Sequence, residues 1–85
     1  MRHITFKTKN TCSRQIDFDL DLDNKIHNLS YIGGCNGNLK AIGKLVEGKN
    51  AIEVAKILQG NTCGYKSTSC ADQLSQAILK ALNEQ

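Results

Sequence analysis

Residues 2–8 alternate, with Ile4 and Phe6 on one face and Thr5 and Lys7 on the other. Residues 15–22 alternate more strictly, setting Ile16, Phe18, Leu20 and Leu22 against Asp17, Asp19 and Asp21. A period of two is the signature of a half-buried strand, so the two segments predict strands over 2–8 and 14–22 with an acidic, solvated outer face. Asp23-Asn24-Lys25 follows as a turn, because Asn and Asp accept positive φ. The run K-I-H-N-L-S-Y-I predicts a third strand over 25–32. Its apolar phase slips between Ile26 and Leu29, as a bulge near His27 would make it do. Three strands in succession predict an antiparallel meander.

Beyond the glycine-rich segment 33–38 the period changes. Leu39, Ile42, Leu45 and Val46 recur at helical spacing, and Gly48 suits the residue that ends such a helix. Asn50, with Glu53 three residues on, predicts the capped start of a second helix whose buried side is Ile52, Ala55, Ile57 and Leu58, ending at Gly60. A polar loop leads to a last helix capped by Ser69 or Thr68, with Asp72 in its first turn. Leu74, Ala77, Ile78, Ala81 and Leu82 form its apolar stripe, the clearest helical pattern in the chain. The order βββααα predicts a single α+β domain over residues 1–85, its three helices packed on one face of a three-stranded antiparallel sheet.

Composition narrows the function. The chain is 40% apolar and 22% charged, ordinary for a folded domain. At 85 residues its core is small, so a metal, a disulfide or a partner would add stability. The net charge of +3 comes from scattered lysines, without the basic stripe and stacking aromatics of nucleic-acid binding. No apolar run approaches the roughly 18 residues of a membrane span, and the first residues lack the apolar centre of a signal peptide. The expectation is a cytoplasmic protein with reduced cysteines.

There are four cysteines, and all avoid the regular elements: Cys12, Cys35, Cys63 and Cys70. A packing cysteine is usually buried inside an element, whereas clustered thiols at junctions suggest metal ligation or redox exchange. If strands two and three form a hairpin, Cys12 and Cys35 share one rim of the sheet. Cys70 joins them only if the last helix docks its N-terminus there, where free N–H groups and the helix dipole favour thiolate. Gly33, Gly34 and Gly37 would let the backbone approach a bound ion or cluster, or simply make the turn. Cys63, in the polar loop before Cys70, is either a fourth ligand or a resolving thiol. His3 and His27 fall away from this rim, and no serine or cysteine is placed beside a histidine and a carboxylate for catalysis.

The contexts T-C-S at 11–13, Y-I-G-G-C-N-G-N at 31–38, C-G-Y-K-S from Cys63 and T-S-C-A-D at 68–72 resemble the TSCPD family, with Ala71 in place of the motif's proline. The resemblance covers nearly the whole chain. Such modules also occur as C-terminal extensions of adenosylcobalamin-dependent ribonucleotide reductases, which implies an accessory role beside that enzyme; the chain is far too short for the reductase barrel itself. More distantly, the element order and the places of Cys12, Cys35 and Cys70 resemble the iron–sulfur scaffold proteins of the IscU and NifU type. Arg14 and Ser69 stand where those proteins carry an aspartate and, in many bacterial ones, a histidine.

Three functions follow as expectations. The first is a thiolate module binding zinc or an iron–sulfur cluster through Cys12, Cys35 and Cys70, with Cys63 as a fourth ligand, since soft thiolates select those metals. The second is a redox component serving ribonucleoside-diphosphate reductase, in which Cys63 and Cys70 cycle between dithiol and disulfide. The third is an interaction or dimerisation module. Ribonucleotide reductase, cluster-assembly proteins or a second copy are the partners these readings imply.

Overall fold

The computed structural model describes residues 1–9, 11, 13–34, 36–61 and 68–84, with Asn36 described through its backbone alone. Strands β1 (Arg2–Lys7), β2 (Ser13–Leu20) and β3 (Ile26–Gly33) are followed by helices α1 (Asn36–Val46), α2 (Ala51–Leu58) and α3 (Cys70–Asn83). The sheet is antiparallel in the order β1-β2-β3, the α+β meander that the alternation predicts.

The central strand explains the sandwich of a dry and a wet face. Ile16, Phe18 and Leu20 are at most 2% exposed and point to the helices. Asp17 and Asp19 point the other way, where Asp17 accepts from the Thr5 hydroxyl at 2.7 Å and the Gln15 amide at 2.9 Å. The His3 ring lies 2.8 Å from Asp19. Cross-strand pairs of this kind are how a solvated sheet face is held together. Leu74, Ala77, Ile78 and Ala81 of α3 close the dry face, with Ile26, Val46, Ala51, Val54 and Ala55 completing the core.

Two bulges interrupt β2–β3 pairing. Asp17 pairs with Ser30 but Asp19 with His27, so β3 carries one extra residue there, and Asn28 takes φ +56°. This is the bulge that the phase slip predicts; it lets both Ile26 and Leu29 pack toward the core. The second has no counterpart in the apolar pattern. Ser13 pairs with Gly33 and Gln15 with Ile32, so two steps along β2 match one along β3.

Helix boundaries follow from local chemistry. Asn50 Oδ1 accepts from the N–H groups of Ile52 (3.0 Å) and Glu53 (3.3 Å), capping α2 as predicted. Gly48 adopts φ +73° in the α1–α2 connection, where its N–H donates to Ile26 and the Lys49 carbonyl accepts from Ile26. Ser69 caps α3 by accepting from the Asp72 N–H at 3.1 Å.

Four apolar residues depart from expectation. Leu22 is fully exposed rather than on the buried face of β2. The strand stops at Leu20 because Asp21 folds the chain back, its Oδ1 accepting from the N–H groups of Asp23 and Lys25. Leu45 of α1 and Ile52 and Ile57 of α2 are also exposed, at 73%, 41% and 78%. Here α1 packs along β3 while α2 packs along α3, so the two helices turn their stripes to different neighbours. The buried side of α2 is consequently Ala51, Val54 and Ala55. No helix among the described residues is long and apolar enough to cross a membrane.

Candidate functional site

Cys70 is the first residue of α3, which starts at the end of the sheet where β2 begins and β3 ends. Its sulfur lies 3.1 Å from the Ser13 hydroxyl, and its carbonyl accepts a 3.0 Å hydrogen bond from the Tyr31 hydroxyl. The last helix therefore docks its N-terminus at this rim, the condition on which the convergence of the cysteines depended. Cys12, Cys35 and Cys63 lie outside the described residues. Their described neighbours are informative: Ser13, next after Cys12, is paired with Gly33, two residues before Cys35.

The bulge at the start of β2 is what turns Ser13 toward Cys70. Ser13 and Ile16 stand three residues apart, so in a regular strand they would face opposite sides. With one extra residue between them both are buried, Ser13 at 3% exposure. The Thr11 hydroxyl reaches Ser13 Oγ at 3.1 Å, so a short chain of hydroxyls leads to the Cys70 sulfur. Burial of the Tyr31 ring raises its hydroxyl well above the usual phenol range, with negative charge at Cys70 adding to the effect. Tyr31 is thereby held as a neutral donor.

Beneath the rim lies a buried polar network. Asp72, 7% exposed, accepts from the Thr68 hydroxyl, from the Gly60 N–H at 2.7 Å and from the Gln76 amide at 2.9 Å. The Thr68 hydrogen bond is the main cause that keeps its carboxyl below the ordinary range; burial opposes it, and the Gly60 and Gln76 donors assist. Gln73 donates to Thr68 at 3.1 Å and accepts from the Lys9 N–H at 3.0 Å, joining the β1–β2 connection to the helix start. Ser69 donates to the Asn61 carbonyl. Every buried side-chain polar atom among the described residues has a partner.

Gly33 and Gly34, expected to admit close backbone approach, both adopt left-handed φ, +80° and +83°, at the end of β3. A side chain there would be strained. Gly37 sits inside α1 with open space around it, so neither conformation nor crowding requires glycine. His3 is engaged by Asp19 and Asp17, and His27 by Asp21 and Glu47 near the other end of β3. Among the described residues, which include Cys70 alone of the four cysteines, no three His, Cys, Asp or Glu side chains are grouped to hold a metal ion. Sequence reasoning missed Ser13, Tyr31 and the Asp72–Gln73 network. The only hint was that T-S-C-A-D-Q carries so many short polar side chains at a helix start.

No curated protein and no solved structure matches the chain. The model of the TSCPD domain matches residues 1–82 of the 85, taking in all three strands, α1, α2 and all but the last residue of α3. The chain belongs to the TSCPD domain family.

Proposed function

We propose that this chain is a small thiolate module that binds zinc or an iron–sulfur cluster, acting as an accessory to ribonucleotide reduction or to cluster handling. Cys12, Cys35 and Cys70 are the ligands, with Cys63 the candidate for a fourth. The observation that carries the reading is the 3.1 Å contact between the Cys70 sulfur and Ser13, in a strand pair that sets Ser13 beside Gly33. It brings the described flanks of three cysteines to one end of the sheet. A donor set of thiolates suits zinc or iron and not a hard cation. Four thiolates would close a structural zinc site; three would leave a position for exchange. The chain's own contribution is to hold Cys70: Tyr31 anchors its carbonyl, Ser13 offers its sulfur a hydroxyl, and Asp72 and Gln73 fix the helix start. Such outer hydrogen bonds orient ligands and tune affinity.

Anaerobic purification followed by elemental analysis and a visible spectrum, before and after adding iron and sulfide, tests this. Bound zinc or a cluster absorption, lost on Cys12→Ser, Cys35→Ser or Cys70→Ser, is the expected result. Metal-free protein with a reversible Cys63–Cys70 couple would replace it with the redox reading.

A further inference from the structure

The two edges of the sheet differ in what covers them. At the β3 edge Ile26 donates its N–H to the Lys49 carbonyl and accepts from the Gly48 N–H, and Lys25 bridges to Asn50. The Asn28 N–H donates to Glu47, and α1 packs along the strand. The β1 edge has no such cover among the described residues. Thr8 donates its N–H to the Arg14 carbonyl, so alternation turns the backbone groups of Thr8, Phe6, Ile4 and Arg2 toward β2. Those of His3, Thr5 and Lys7 consequently point outward, and no described residue bonds to them. All three residues are exposed. Proteins usually blunt such an edge with a proline, a bulge or a covering element. Here the register with β2 is unbroken from Arg2 to Lys7, and the chain has no proline.

Outward N–H and C=O groups alternate along this edge, which matches another extended backbone. An anion such as phosphate offers acceptors and would leave the carbonyls unpaired. Ile4 and Phe6 are only partly buried against the core, so the dry face is unfinished beside them. Charge selects the sequence of the added strand. Lys7, Lys9 and Arg14, which is bonded to Thr8 between the two lysines, are all exposed at one end of the edge. None of them forms an ion pair with a described carboxylate. The Lys7 ammonium donates to the neutral Gln15 amide. At the other end His3 already faces Asp17 and Asp19. A second copy pairing through β1 would bring no carboxylate to the basic end, because Arg2–Lys7 contains none. Antiparallel pairing through all three outward residues would also set Lys7 opposite His3 of the other copy, at both ends of the seam.

We infer that the β1 edge is a docking site for an extended acidic segment of a partner protein. The segment adds antiparallel to β1, with carboxylates over Lys7, Lys9 and Arg14 and apolar side chains beside Ile4 and Phe6. In strand addition of this kind the main chain supplies affinity and the alternate side chains supply selectivity. The inference does not depend on the thiolate reading.

The probe is a blocked synthetic peptide, Glu-Ser-Glu-Ile-Thr-Val-Thr, whose second glutamate falls opposite Lys7 and whose last residue falls opposite His3. Fluorescence anisotropy should show binding that weakens as salt rises, and the His3, Thr5 and Lys7 amides should gain protection from hydrogen exchange. Methylating the backbone nitrogen of the threonine opposite Thr5 keeps the peptide's charge and should lower affinity about tenfold. Thr5→Pro should do the same, since the outward Thr5 N–H makes no bond to β2. Lys7→Glu should weaken binding about tenfold and let an analogue with lysines for glutamates bind better than it binds the parent. If circular dichroism shows that Thr5→Pro does not fold, the methylated peptide and Lys7→Glu decide. The proposal is overturned if no binding occurs at millimolar peptide, if the methylated peptide binds as tightly, or if the lysine analogue binds the parent equally well. It is equally overturned if the protein alone sediments as a dimer in which the β1 amides are already protected.

Discussion

The two ends of β3 are both polar, yet they are built on opposite principles. At the Gly33 end, Ser13 is buried against the Cys70 sulfur, and Thr68, Asp72 and Gln73 are buried and linked in a network that spans three chain segments. At the Ile26 end, His27 sits between Asp21 (2.7 Å) and Glu47 (2.6 Å) in water's reach. Burial makes the first end expensive to disturb, because a lost partner leaves a desolvated group unpaired. Solvent can replace the partners at the second, so it contributes little and responds to pH instead. The contrast makes the described part of the Cys70 end the costlier one to disturb.

The comparison breaks most sharply at Asp72. Asp72→Ala removes the acceptor of three hydrogen bonds and should lower unfolding free energy by about 3 kcal/mol in urea titration. A loss no greater than that of an exposed aspartate would erase the distinction between the ends. Its pH signature has a definite sign: the depressed carboxyl stabilises the fold above its unfolded pKa, and the contribution disappears as pH falls through the lower folded value.

Tyr31→Phe comes next, removing one hydrogen bond to the Cys70 carbonyl at a cost of about 1 kcal/mol, measurable in the same titration. Ser13→Ala should cost less in stability; under the proposal that Cys70 ligates a metal, it should also lower metal affinity about tenfold by chelator competition, since a ligand's outer hydrogen bond acts on affinity. Equal affinity in the alanine variant would remove Ser13 from the site.

The smallest effect belongs to His27. Both ring nitrogens face carboxylates, and a neutral imidazole can donate from only one of them. Hydrogen bonding to Asp21 first, and to Glu47 second, raises its pKa above the ordinary 6.5. A raised folded value means the stabilisation is fully present below the unfolded pKa and fades as pH rises through the folded one. At the acid end the clamp weakens again when Asp21 and Glu47, whose pKa values are lowered, take up protons. NMR titration of the His27 ring should give a midpoint above 6.5, and His27→Gln should flatten the alkaline slope of the urea midpoint. A midpoint at or below the ordinary value would show that the clamp is not formed in solution.

Most of the architecture could be read from local patterns. The strict alternation of β2, the cap at Asn50 and the stripe of α3 each need only near neighbours to act, so their reading survived. The exposed Leu45, Ile52 and Ile57 were misassigned for the complementary reason. An apolar stripe says that a helix has a dry side but not which neighbour will cover it, and α1 and α2 found different ones. Leu22 was misassigned because alternation continues past Leu20 although the Asp21 turn has already ended the strand.

Periodicity, turn chemistry and capping act over a few residues, so the order of the elements, their caps and the position of Cys70 at a helix start are legible along the chain. Long-range pairing and packing are what set the N-terminus of α3 against the start of β2 and turn Ser13 toward Cys70. The reason is the second bulge. One extra residue between Ser13 and Ile16 reverses the side on which Ser13 emerges, and pairing with β3 and packing of α3 set that register from residues 20 and 57 positions away.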